Sequence, residues 1–211
     1  MRPYARAKSS ENFDPMFSLR LILFLSLAWY GQSADLSTLP EPYRSAKLMP
    51  FNPHGWYLNA GHLCGLVEQR KIKTIIEIGS WMGESTRHMA SILPPDGKVY
   101  AVDTWEGSSN EMHDPNYIAT LYDQFLSNVI HAELTEKIIP VRMSSQEAAL
   151  SLGIYPDLIY LDATHTEEEV YKDLCAWFPF VKGHGIFCGD DWAWGYYAVA
   201  KGSIGLLRKI I

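Results

Sequence analysis

Short runs of β-branched residues recur along this chain, and between them apolar residues fall at the three- and four-residue spacing of helices. The first run, KTIIEIG, holds Ile75, Ile76 and Ile78 and is interrupted only by Glu77. A run so short and nearly continuous predicts a parallel strand buried on both faces, central in its sheet. Past Gly83, Met89, Ile92 and Leu93 keep helical spacing behind Glu84, Ser85 and Thr86, which suit a helix N-terminus, and PPDG ends the pattern. The alternation continues with strands at 99–103, 138–141, 158–162 and 186–188 and helices at 117–131, 146–152 and 167–178. Upstream, Leu58, Leu63, Leu66 and Val67 predict a helix leading into the first strand. Strands alternating with helices give an α/β fold, a doubly wound parallel sheet. Residues 35–53 break the rhythm with Pro40, Pro42, Pro50 and Pro53, which predicts a linker or arm over a domain beginning at residue 54. The aromatic and apolar residues of this arm are placed to cover the site.

At 211 residues, 47% hydrophobic and 20% charged, the chain has apolar material for one domain with a full core. A net charge of −6 without a run of Lys or Arg argues against a nucleic-acid groove or an anionic membrane surface and for a small-molecule partner. Cys64, Cys175 and Cys188 lack metal-ligand spacing and predict no disulfide framework; Cys175 and Cys188, in apolar runs, read as small core residues. At the N-terminus, Arg20, an apolar stretch from Leu21 to Tyr30 and small residues to Ala34 have the layout of a secretory signal over residues 16–34. The stretch is shorter than the ~20 residues of a spanning helix. Read as a signal, it exports the protein to the periplasm or the medium. Read as a helix lying on the domain, it leaves a cytoplasmic protein.

The strand–turn–helix around Gly79 and Gly83 is built like a nucleotide-binding loop, in which glycines let the backbone approach a ligand and free N–H groups face it. Glu77 occupies the position of the first glycine in the dinucleotide fingerprint, and a carboxylate there repels a pyrophosphate. It suits a ligand with an amine-bearing end. Asp103 ends the next strand and follows Gly83 at the spacing of about 20 at which doubly wound folds place the acid that holds a ribose diol. A ribose without a phosphate at that turn suggests S-adenosylmethionine.

Here the sequence resembles the class I S-adenosylmethionine-dependent methyltransferases, whose first motif reads E-x-G-x-x-x-G and whose second strand ends in an acid. The resemblance implies that Glu77 faces the methionine amine, that Gly79, Ser80 and Gly83 form the cofactor turn and that Asp103 contacts the ribose. In VRMSSQEAA, Ser145 and Gln146 resemble the Ser-Gln pair that O-methyltransferases of the catechol type use at the adenine ring. Independently of that, Ser144 or Ser145 suits a helix N-cap with Glu147 behind it.

Ligands of open parallel sheets bind beyond the carboxyl ends of the strands. LIYLDATH and GIFCGDDW bring Asp162, Asp190 and Asp191 to neighbouring strand ends, where gathered carboxylates repel one another unless a hard cation such as Mg²⁺ joins them. His165, three positions beyond Asp162, is placed to take a proton from a hydroxyl that a metal acidifies. The stretch from Asp157 to Trp192 resembles a branch of the class I enzymes that includes metal-dependent sugar O-methyltransferases. Thr164 stands where many relatives carry a second acid, which leaves His165 as the evident base. The chain reaches Ile211 soon after Trp192, so the expected sheet stops at five parallel strands with an open edge, which invites homo-oligomers. The function implied is methyl transfer from S-adenosylmethionine to a small hydroxylated acceptor. The alternatives are a non-catalytic binding protein on a shortened methyltransferase fold, and a nicotinamide-dependent oxidoreductase, which should show the glycine that Glu77 replaces.

Overall fold

The computed structural model describes residues 35–107, 114–181, 183, 185–191 and 200–201. The secretory-signal segment, 16–34, and residues 192–199 and 202–211, the stretch expected to add no further strand, lie outside the described residues. Among these residues, no helix is long and apolar enough to cross a membrane.

Residues 37–211 form one compact unit around a five-stranded parallel sheet of order β3-β2-β1-β4-β5. The strands are β1 (Thr74–Ile78), β2 (Lys98–Asp103), β3 (Ile138–Arg142), β4 (Leu158–Leu161) and β5 (Ile186–Gly189). The helices are α1 (Ala60–Arg70), α2 (Glu84–Ile92), α3 (Pro115–His131), α4 (Ser145–Ser151) and α5 (Glu167–Trp177). β1 is central, as its unbroken isoleucines require: Ile75, Ile76, Ile78 and Glu77 are all fully buried. The order of winding reverses between β1 and β4, which opens the switch-point crevice of doubly wound sheets at their carboxyl ends.

Side chains alternate across the sheet, so Ile76, Ile78, Val102, Val141, Ile159 and Leu161 face one layer, closed by Ala148 and Ala149 of α4 and Val170, Leu174 and Trp177 of α5. Glu77 lies in register with Ala101 and Tyr160, on the opposite face. Two expectations fail by helical phase. Leu58 is 92% exposed because α1 begins only at Ala60, leaving Leu63 and Val67 as its buried positions. Cys175 is exposed, one residue past the buried Leu174 and so about 100° round α5.

The proline-rich arm is strapped down by backbone hydrogen bonds. Tyr43 is buried and its hydroxyl donates to Ile138 O at 2.9 Å. Met49 N donates to Ser127 Oγ, Asn52 N to Asn128 Oδ1 and Gln124 Nε2 to Pro50 O, at 2.8, 2.9 and 2.9 Å. These partners explain why α3 buries Gln124, Ser127 and Asn128 among its leucines: buried polar side chains need partners, and the arm's backbone supplies them.

Candidate active site

Gly79 begins the turn after β1 at φ +87°, and any Cβ there would collide with the backbone of Asp162 at the end of β4. Both the left-handed geometry and the close approach demand glycine. Gly83, at φ +80°, is the N-cap of α2, and its N–H closes the turn onto Ser80 O at 2.7 Å.

Glu77 does not reach the cleft. Its carboxylate lies beneath the turn, where it accepts hydrogen bonds from Ser80 Oγ at 2.8 Å, Ser85 Oγ at 2.5 Å and Thr86 Oγ1. Burial pushes its carboxyl up to about 7 against the lowering effect of those hydroxyls. Its structural role is to tie the first turn of α2 to the end of β1. The place at an amine that its motif implied is not on the cleft wall.

The N–H groups of the turn are also engaged. Gly79 N donates to Val102 O, while Ser80 N and Trp81 N both donate to Asp103 Oδ2, each at 2.9 Å. Asp103 Oδ1 accepts from Trp105 N at 2.7 Å. Burial raises the Asp103 carboxyl although these backbone donors work the other way. Asp103 therefore fixes the turn and still lines the cleft.

At the end of β3, Ser144 is the N-cap of α4, closing a capping box with Glu147. Ser145 and Gln146 are thereby free of capping and line the cleft. Ser145 Oγ accepts from Trp177 Nε1 at 2.8 Å and Gln146 Nε2 donates to Asp173 Oδ1 at 2.7 Å. Burial pushes Asp173 up to about 6.

At the ends of β4 and β5 the structure regroups the expected acids. Asp162, His165 and Asp191 bring donor atoms within 4.8 Å of one another. His165 Nε2 lies 2.7 Å from Asp191 Oδ2 and 4.0 Å from Asp162 Oδ1. Asp190 is not in this group: its Oδ2 accepts from Asn59 Nδ2 at 2.7 Å and from Tyr160 OH at 3.3 Å, and its Oδ1 from Asp191 N at 2.8 Å. The reason is backbone geometry, since Asp190 N continues the strand ladder onto Leu161 O while Asp191 turns to φ +56°. Burial raises the Asp162 carboxyl, His165 opposes this, and the charges of Asp190 and Asp191 add to it. Among the described residues no lysine or arginine pairs with Asp162 or Asp191.

All these groups except Glu77 and Asp190 open onto one cleft of about 860 Å³. Its remaining wall comes from His54, Gly55, Trp56 and Tyr57, at the start of the domain and not in the 35–53 arm expected to cover the site, together with Trp81 and Glu84. The density of aromatics just past Pro53 was the signal for that wall.

The profile of a methyltransferase-domain family matches residues 76–192, more than half of the chain. No curated protein matches. Among solved structures, the chain is similar to the O-methyltransferase TomG from Streptomyces achromogenes, involved in tomaymycin synthesis and solved in complex with SAM. Identity is 16%, with 90% of this chain and 83% of that one covered at a TM-score of 0.59. It is also similar to the O-methyltransferase from Bacillus cereus in complex with SAH, at 17% identity, 90% and 84% coverage and a TM-score of 0.54. At such identities the likeness is one of fold. The chain belongs to the methyltransferase-domain family and is a class I, S-adenosylmethionine-dependent methyltransferase. The oxidoreductase alternative falls with that assignment.

Proposed function

We propose that this enzyme transfers the methyl group of S-adenosylmethionine to a hydroxyl oxygen of a small acceptor, with a divalent cation held by Asp162 and Asp191. The observation that carries this reading is the opening of a charge-unbalanced cluster, Asp162, His165 and Asp191, into the same cleft as the glycine turn and Asp103. S-adenosylmethionine, when bound, supplies an electrophilic methyl group on a sulfonium. A cation of the Mg²⁺ or Mn²⁺ type, when bound, makes a coordinated hydroxyl more acidic. The residues present fit one: two carboxylates converge beside the His165 imidazole, and among the described residues no lysine or arginine neutralises them.

The protein's own contribution is mainly positioning. Gly79 lets the turn lie against the end of β4, so that the cofactor turn and the acidic cluster are adjacent. Asp103 offers its carboxylate to the ribose, and Ser145 and Gln146, fixed by Trp177 and Asp173, flank the adenine position. His165 takes the proton that the acceptor hydroxyl loses. A proton bound at its Nε2 is balanced at once by Asp191 at 2.7 Å.

The test is a screen of hydroxylated metabolites and sugars with methyl-labelled cofactor, run with Mn²⁺ or Mg²⁺ and again after exhaustive chelation. Label should appear on an oxygen only when the ion is present. Full activity in chelator would remove the metal from the account.

A further inference from the structure

Outside the acidic cluster and the cofactor turn, α1 and α2 bring a thiol, an imidazole and a phenol into line. Cys64 is exposed on α1, and its Sγ lies 3.5 Å from His88 Nε2 on α2. The other ring nitrogen, His88 Nδ1, is 2.8 Å from the Tyr57 hydroxyl. A nucleophile within reach of a base, with the base oriented by a third group, is the arrangement that activates weak nucleophiles. Burial holds the His88 imidazole below its usual range, so it is unprotonated at neutral pH and free to take a proton. Burial pushes the Tyr57 hydroxyl up, so it stays protonated. When Tyr57 Oη accepts from Nδ1–H, Nε2 turns its lone pair to the thiol.

The other two cysteines lack this combination. Cys175 is also exposed but, among the described residues, hydrogen-bonds to no imidazole. Cys188 is half-buried, and burial pushes its thiol up to about 11. The row also leads inward from Cys64. Tyr57 lines the cleft, with its ring 5.3 Å from that of His88 and edge-on to Tyr160 at 6.5 Å. A group attached to the Cys64 sulfur displaces the imidazole that holds the Tyr57 hydroxyl.

We propose that Cys64 is a site of reversible modification by low-molecular-weight disulfides of the glutathione type, and that the modification reaches the cleft through His88 and Tyr57. The Cys64 sulfur attacks one sulfur of the disulfide while His88 Nε2 takes the thiol proton. A new S–S bond forms, the S–S bond of the reagent breaks, and the leaving thiolate recovers the proton from His88. One disulfide is thus exchanged for another and one thiol for another, and excess thiol reverses the step. The reactivity of Cys64 is independent of the methyltransferase reading; its effect on the cleft rests on that reading.

The test incubates the full-length protein with oxidised glutathione and follows each cysteine by peptide mass spectrometry. Cys64 should gain the adduct at least about tenfold faster than Cys175. His88→Ala should bring Cys64 down to the rate of Cys175, and Tyr57→Phe, which keeps the ring and removes only the hydroxyl, should slow it by a smaller factor. A Cys64 rate that equals that of Cys175 in wild type, or that neither substitution lowers, overturns the site. The modified protein should then bind S-adenosylhomocysteine several-fold more weakly in calorimetry and recover with dithiothreitol, while Cys64→Ser shows no response to oxidised glutathione. Adduct at Cys64 with unchanged binding overturns the link to the cleft. Failure of the unmodified wild type to bind S-adenosylhomocysteine overturns the methyltransferase reading and the cleft half of the proposal with it, and leaves the thiol measurement to decide the site.

Discussion

The two halves of the cleft are built to opposite rules. On the side of β1, β2 and β3 the polar groups are already partnered: Glu77 by three hydroxyls, Asp103 by three backbone N–H groups, Ser145 by Trp177 and Gln146 by Asp173. On the side of β4 and β5, two carboxylates face each other with an imidazole between them and, among the described residues, no lysine or arginine partner. A half whose groups are satisfied is a preformed surface that receives a ligand with little rearrangement. A half whose charges are unbalanced needs a cation or a proton to complete it. Binding and chemistry should therefore separate under mutation.

The largest effect is expected in the second half. Asp162→Asn or Asp191→Asn should lower kcat on the order of 10³-fold, matching the several kcal/mol a metal ion supplies to charge stabilisation. Cofactor affinity measured by calorimetry should stay near wild type. A parallel fall in cofactor affinity would dissolve the division between the halves. His165→Ala should cost about 10²- to 10⁴-fold in rate if it accepts the proton. Loss of Mn²⁺ affinity in that variant would make it a ligand instead.

In the first half, Asp103→Ala should weaken S-adenosylmethionine by about 1.5–3 kcal/mol, the worth of a hydrogen bond to a charged group. Ser80 N and Trp81 N lose their acceptor in the same substitution, so the turn should also loosen. Unchanged affinity in equilibrium titration would remove the ribose assignment.

Much of this division could be read from the sequence. The isoleucines of β1, the glycines at 79 and 83 and the acid closing β2 carry local signals, and each lies where the pattern put it. What the sequence did not separate were alternatives one residue apart or on opposite faces. Asp190 and Asp191 are indistinguishable as an acidic pair, and only the left-handed backbone of Asp191 sends one to His165 and the other to Asn59. Glu77 was legible as a carboxylate in the motif, but its side depends on strand alternation and on Ser85 and Thr86 arriving from α2. The backbone donors expected to face a ligand are claimed by Asp103, a contact between distant segments that no local pattern encodes.

The buried carboxyls allow a further test. Glu77 titrates near 7 in the folded protein against 4.5 in its ordinary state, and Asp173 near 6, so both take up protons on folding in that interval. Their contribution to stability is complete below the unfolded value and is lost as pH rises through the folded value. The ligand-free protein should therefore have a higher Tm at pH 5.5 than at pH 8, and Glu77→Gln should flatten that dependence. A Tm that rises steadily from acid to neutral pH would contradict the burial argument. The smallest effect belongs to the capping box: Ser144→Ala should cost about 1 kcal/mol in denaturant unfolding and leave the acidic cluster untouched.

The separation of the two halves is tested most directly by titrating S-adenosylhomocysteine calorimetrically into protein freed of divalent ions by chelation, in wild type and in Asp162→Asn. The account predicts saturable one-to-one binding with the same affinity in both, because every group assigned to the cofactor lies outside the acidic cluster. Binding that vanishes in chelator, or that Asp162→Asn abolishes, would contradict it.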